Sequence, residues 1–297
     1  MRREVAHCPV CGDDQAVPVR ATLPDPMVRC RACGLLYREP RPPAESFASG
    51  PADAGARIGL EERVGARRSW HFHRFLRAAG PPGRLLDVGC GYGFFLRLAR
   101  EAGWEVTGVD MDPMAVAYAR DRLGVTARLG DLRELRVPPG SFDLVTLWNA
   151  LDFVPDPLEL LREVHRVLKG GGQIFIRTPN ATWQLLSFRL AGLLNRLGWG
   201  AAFDQRLTFV FHLTSFSRST LRLLLERAGF VPLSIGNSRP IQGDPYLGLG
   251  PGGELLVSLA KLAVHRLAQG VSLLSGGHWL VGPSLEAYAR RGEEQGR

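Results

Sequence analysis

The segment LLDVGCGYGFFL, residues 85–96, constrains this chain more than any other. An apolar strand ends at Asp87, glycines stand at Gly89, Gly91 and Gly93, and a helix begins at once. Glycine permits the tight turn and the close backbone approach that such a crossing needs. The carboxyl edge of an open α/β sheet is also where ligands bind. The pattern is Asp-x-Gly-x-Gly-x-Gly, whereas a dinucleotide loop requires Gly-x-Gly-x-x-Gly, and position 94 is Phe94. An acid just before the glycines would repel a pyrophosphate and suits a cationic ligand.

Strands and helices alternate around this loop. The pattern predicts strands at 84–88, 105–109, 125–128, 142–148, 172–177 and 230–235, with a last one at 285–289. Helices are predicted at 57–79, 94–102, 113–123, 157–168 and 217–228; the first offers Trp70, Phe72, Phe75 and Leu76 for a buried stripe. Continuous apolar strands alternating with helices imply a doubly wound, mostly parallel sheet covered on both faces. Two apolar segments, 181–211 and 241–283, fall outside the rhythm and read as insertions.

Two further acids stand at successive strand ends. Asp110, beside Met111, lies 23 positions after Asp87 and can accept hydrogen bonds from ribose hydroxyls. Asp131 follows the next strand and can accept from an adenine amino group, with Leu132 against the ring. Asp112, before Pro113, reads as a helix cap. A cation with a nucleoside attached describes S-adenosylmethionine (SAM).

The pieces LLDVGCGYG, GVDMDP, GDL, FDLVTLWNALDFVPDP, LKGGGQIFIRTPN and FHLTSFSRSTLRLLLERAGF together resemble the class I SAM-dependent methyltransferases. The resemblance implies a Rossmann-like methyltransferase fold. It implies that Gly89, Gly91 and Gly93 form the cofactor loop, with Asp87 near the methionine moiety, Asp110 at the ribose and Asp131 at the adenine. Asn149, after the fourth strand, would line the site of methyl transfer. Many relatives read Glu-His where this chain has Asp152-Phe153, so that histidine's role is not carried over. His212 is the candidate general base, and His165 reads as a surface residue. Cys90 reads as a small residue packed behind the glycines.

Cys8-Pro-Val-Cys11-Gly12 and Cys30-Arg-Ala-Cys33-Gly34 are two C-x-x-C-G turns. Two such turns complete a closed tetrahedral zinc site with a structural role. They resemble the zinc-ribbon knuckles that precede some bacterial methyltransferase domains. The expected organisation is a zinc-binding module at 1–38, a linker at 39–56 and a methyltransferase domain at 57–291.

Only Lys169 and Lys261 are lysines among 37 basic residues, so the net charge of +8 reflects an arginine-rich composition and does not argue for nucleic acid. Residues 1–38 carry scattered arginines and one aromatic, Tyr37, a poor surface for RNA. The expected acceptor is a small molecule, a sugar or a lipid-linked compound; the competing readings are an RNA methyltransferase and a non-catalytic SAM-binding protein. The amino-terminal residues lack a signal-peptide core and no apolar run reaches about 18 residues, which suggests a cytoplasmic location. In residues 253–275, Glu254, Ser258, Lys261, His265, Gln269 and Ser272 share one helical face and Leu, Val and Ala the other. Residues 185–199 repeat the theme with Arg189 and Arg196. Such helices suit peripheral attachment to the inner face of a membrane, a dimer seam, or packing on the core. Trp183, Phe188, Trp199 and Phe203 in 181–211 are expected to wall the acceptor pocket.

Overall fold

The computed structural model describes residues 7–20, 27–39, 54–197, 213–241 and 251–293. Its centre is a seven-stranded sheet: β4 (Arg84–Val88), β5 (Glu105–Asp110), β6 (Ala127–Leu129), β7 (Phe142–Trp148), β8 (Leu168–Pro179), β10 (Phe230–Asn237) and β11 (Ser284–Arg291). The order is β10-β11-β8-β7-β4-β5-β6. Strands β6, β5, β4, β7 and β8 run parallel, and β11 pairs antiparallel with both β8 and β10. The order changes direction between β4 and β7, so the carboxyl ends of those strands open a crevice.

Alternation along each strand builds two cores. Leu86, Val145, Leu147, Ile174 and Ile176 pack against α4 (Pro157–Val167) and α6 (Arg218–Arg227) on one face. Leu85, Leu144, Trp148 and Phe175 pack against α1 (Ala54–Ala78), α2 (Phe94–Glu101) and α3 (Pro113–Asp121) on the other. Asp112 caps α3, accepting from the Met114 and Ala115 N–H groups at 2.9 and 3.3 Å, with Pro113 in the first turn. Ser217 and Thr220 close a capping box at the start of α6.

The buried face of α1 carries Phe72, Phe75 and Leu76, whereas Trp70 is turned outward, flanked by the Arg74 and Arg239 guanidiniums. Position 70 lies about 200° around the helix from 72, and His71 takes the buried place beside Phe72. His165 is half-buried, its ring edge-on to Phe230.

The cysteine turns belong to a four-stranded sheet, β1 (Ala16–Arg20), β2 (Met27–Cys30), β3 (Leu36–Arg38) and β9 (Thr214–Ser215), in that order. Its last strand comes from the distant end of the sequence: Leu36 pairs with Ser215 and Tyr37 with Thr214. Arg227 also donates to the Val10 and Cys11 carbonyls at 3.2 and 3.0 Å. Cys8, Val10, Leu35 and Tyr37 share one core with Leu160 and Leu224.

Two helices carry the extra segments: α5 (Ala181–Arg196) and α7 (Pro251–Leu274). The polar stripe of α7 turns toward the protein: Glu254 pairs with Arg67 and His265 is buried. The leucines turn outward, with Leu256 69%, Leu267 72% and Leu274 93% exposed. The reading in which these leucines pack on the core is therefore not met in α7. Buried charges and polar groups of α1 and β11 offer partners to the polar stripe and none to leucine. No described helix is long and apolar enough to cross a membrane.

Candidate active site

The main cavity opens where β4, β5, β6 and β7 end, with a volume of about 410 Å³. That lies within the usual range for small-molecule sites. Gly89, Gly91, Asp110, Met111, Asp131, Leu132 and Asn149 all line it. Their common position follows from topology, since each sits at or just after the carboxyl end of a parallel strand.

The glycines have separate reasons. A side chain at Gly89 would stand 2.3 Å from the Ala150 Cβ, so the loop after β4 and the loop after β7 can meet only there as glycine. Gly93 begins α2 and packs against Ala119 and Val125, behind the cavity wall. Gly91 has nothing within 4 Å of its would-be Cβ, and its N–H donates to Asp110 Oδ2 at 2.7 Å.

Asp110 Oδ1 also accepts from the Asp112 N–H at 2.9 Å. Burial nonetheless raises its pKa above the usual carboxylate value. Burial raises Asp131 too, but the Arg133 guanidinium and N–H outweigh it and leave its pKa low. Asp87 stands behind the loop, fully buried, accepting from Thr146 Oγ1 at 2.6 Å. Burial pushes its pKa up to about 8. Cys90 is also buried, against Gly108, and burial pushes its thiol up.

Residues that the motifs did not indicate complete the wall. Arg57 and Glu61 reach in from α1, and Tyr92, Ala150 and Phe153 from the loops. Burial raises the Glu61 pKa. No sequence signal marks Arg57 and Glu61, because α1 lies outside the strand–loop repeat. With Asp110, Asp112 and Asp131 against Arg57, the cavity has the charge to take a cation.

Asn149 adopts the left-handed conformation, φ 54°, which asparagine tolerates better than most residues. It also borders a second, much smaller cavity lined by Arg68, His71, Phe72, Trp148 and Arg177. Asp152 lies close by, buried, and burial raises its pKa to about 7. His212, Trp199 and Phe203 lie outside the described residues.

The four cysteines Cys8, Cys11, Cys30 and Cys33 bring their Sγ atoms within 4.8 Å of one another. The Cys8–Cys33 and Cys11–Cys30 approaches are 3.6 and 3.4 Å. Four sulfurs bound about 2.3 Å from one tetrahedral zinc stand ~3.8 Å apart, so the set fits that ion.

Residues 64–235 match a family model described as a methyltransferase domain. The ubiquinone biosynthesis O-methyltransferase of Xanthomonas campestris is 37% identical over 122 residues, covering 39% of this chain and 51% of that protein. A homologue of that name from Pseudomonas aeruginosa is 36% identical over 115 residues, 37% of this chain and 50% of the relative. The chain thus spans about half the length of these curated relatives. Among solved structures, a chain of the Haloferax volcanii complex containing the Trm112 methyltransferase activator superposes with a TM-score of 0.54 at 18% identity, covering 83% of this chain and 97% of that one. Phosphoethanolamine N-methyltransferase 2 of Haemonchus contortus gives 0.52 at 21% identity, covering 75% and 52%. These likenesses establish the fold. With the family model spanning more than half its length and a ligand cavity at the switch point of the sheet, the chain belongs to the class I SAM-dependent methyltransferases.

Proposed function

We propose that this protein methylates a small or lipid-linked acceptor while seated on an anionic membrane surface. SAM supplies an electrophilic methyl on a sulfonium. Asp110 is assigned to the ribose hydroxyls, Asp131 and Leu132 to the adenine, and the Gly89–Gly93 loop to the amino acid part. Asn149, which borders both cavities, is assigned to the transfer side. Asp87 acts from behind, as a buried acid against the loop. The relatives' name, ubiquinone biosynthesis O-methyltransferase, supports a small-molecule acceptor with a lipophilic character.

The observation that carries the membrane part is the outward face of α7. Leu255, Leu256, Leu259, Leu262, Leu267, Leu273 and Leu274 are exposed, and Trp279 follows them, 69% exposed. Leucine faces with a tryptophan at their end suit the headgroup boundary. Arg266 on α7, and Arg189 and Arg196 on α5, are exposed, and Glu254 is the one acid in the two helices. Since Glu254 is paired with Arg67, the outward charge is positive and complements anionic lipid. Exposed Leu186, Leu190 and Leu193 repeat the pattern on α5, and exposed Leu197 follows its end.

Co-sedimentation with vesicles containing phosphatidylglycerol tests this reading. Binding that falls with salt and is lost in the Leu256→Glu/Leu267→Glu double variant is the expected result. A protein that ignores vesicles and forms a stable dimer lost in the same variant refutes it in favour of a seam. The four cysteines are assigned a structural zinc. The RNA reading is further weakened because Tyr37, the one aromatic of residues 1–38, is fully buried and offers no base a stacking surface.

A further inference from the structure

A cationic cluster lies where α1, α7 and the end of β10 meet, and none of its members lines the cofactor cavity. Helix α7 is held there at two points. Arg67 of α1 pairs with Glu254, and Asn237 at the end of β10 donates to the Ala268 carbonyl at 3.1 Å. Between these ties, Arg74 and Arg239 bring their Cζ atoms to 5.7 and 5.5 Å from the centroid of one ring, that of the exposed Trp70. Arg74 is paired with Glu286 at 2.9 Å. Arg239 and Arg266 are exposed and make no ion pair among the described residues. The buried His265 ring marks the middle of the cluster. Burial first, then Arg239, Arg266 and Arg74, hold its pKa below the ordinary histidine value, and of these neighbours Glu286 alone opposes them. Three guanidiniums thus face one carboxylate, an excess of two positive charges. Like charges so gathered repel one another, and an anion would offset that cost.

The cluster is continuous with the outward leucine face. Arg266 follows Leu259 by seven positions and Leu262 by four, so it shares their side of α7. An anion that meets Arg266 is therefore met beside exposed leucines, which a free phosphate would leave in water.

We propose that Trp70, Arg74, Arg239 and Arg266 form a headgroup site for a lipid phosphomonoester, the chemistry that phosphatidic acid presents. The inference rests on the membrane reading above and names the headgroup which that reading leaves open. A phosphomonoester carries a charge of about −1.5 to −2 near neutral pH, which matches the excess. A phosphodiester such as phosphatidylglycerol carries a single negative charge and leaves part of it unmet. The planar guanidinium fork pairs with two phosphate oxygens at once. Trp70 suits the headgroup level beside them, and the leucines of α7 suit the acyl boundary.

The test is co-sedimentation of the full-length protein with phosphatidylcholine vesicles containing either phosphatidic acid or phosphatidylglycerol. The two sets are adjusted to equal electrophoretic mobility, so general charge attraction is the same in both. The wild type is expected to partition about tenfold more strongly onto the phosphatidic acid set, the scale of one charge-assisted hydrogen bond. Arg239→Gln/Arg266→Gln should abolish that preference. Comparing the two sets cancels the general attraction lost with two cations. Trp70→Leu, which removes the ring that seats Arg74 and Arg239, should lower the preference several-fold and keeps the test open if the double variant fails to fold. Equal partition of the wild type onto both sets overturns the headgroup site and leaves the membrane reading intact. A double variant that keeps the wild-type preference also overturns it. Tight binding of inorganic phosphate by the protein without vesicles assigns the site to a soluble phosphate and overturns the lipid. A wild type that binds neither set brings down the membrane reading, and the headgroup site with it.

Discussion

Arg177 and Asn149 hold each other through two hydrogen bonds of opposite direction. The Arg177 guanidinium donates to Asn149 Oδ1 at 2.6 Å, and the Asn149 backbone N–H donates to the Arg177 carbonyl at 2.8 Å. The pair joins β7 to β8 and fixes the one residue that borders both cavities. Arg177 Nε also donates to Ser238, which donates to Glu286, which accepts from Arg74.

Removing the guanidinium takes one donor each from Asn149 Oδ1 and the buried Ser238 Oγ. Arg177→Met is expected to cost about 2–3 kcal/mol, the scale of a hydrogen bond to a charged group. Urea unfolding should show a lower midpoint at unchanged slope. SAM affinity should change less than methyl transfer, because the lost contact faces the acceptor side.

Asp110 has two backbone N–H partners and still lines the cavity. Asp110→Ala should weaken SAM binding by about 1.5–3 kcal/mol, roughly 10- to 150-fold. Titration calorimetry measures it, with circular dichroism checking the fold. Wild-type affinity in this variant would move the ribose elsewhere.

Asp87 gives the ligand-free protein a pH dependence of defined sign. Its folded pKa, about 8, lies above the ordinary aspartate value near 4. Between those limits the folded state binds the extra proton, so this group's stabilisation is complete below about pH 4 and is lost as pH rises to about 8. Thermal melts of wild type and Asp87→Asn should therefore converge at acidic pH and separate toward pH 8, with the variant relatively more stable there. Parallel curves across the window would contradict the assignment.

The cysteine cluster predicts a metal-dependent fold. Freshly purified protein should contain one zinc per chain, and a strong chelator should lower the melting temperature by more than it lowers that of Cys33→Ser. Because the Arg38 N–H donates to the Leu213 carbonyl and the Leu213 N–H to the Asp152 carbonyl, both at 2.9 Å, chelation should also slow methyl transfer. A melting point indifferent to chelation would remove the metal from the stability of the sheet.

The local pattern settled a good deal by itself. Residues 84–96 specify strand, glycine turn and helix through apolar runs and three glycines, and each is found in place. Asp112 caps the helix that Pro113 begins, as its side chain and position require. The two C-x-x-C-G turns specify four thiols in one cluster, because each turn needs only its own few residues. Strand-end acids fall around one cavity because a parallel sheet places every carboxyl end on the same edge.

Tertiary structure decided what depends on pairing across the chain. His71 reads as one more position of a helix, and only the packing of α1 on β7 and β8 seats it beside Trp148 and Arg177. The cysteine sheet is completed by Thr214–Ser215, about 180 residues away, which no local period announces. The stripe on α7 has a polar and an apolar side in the sequence, but periodicity has no sign: it cannot say which side meets the protein. Arg67 and the charges around His265 decided it, since a buried charge needs a partner and an exposed leucine does not.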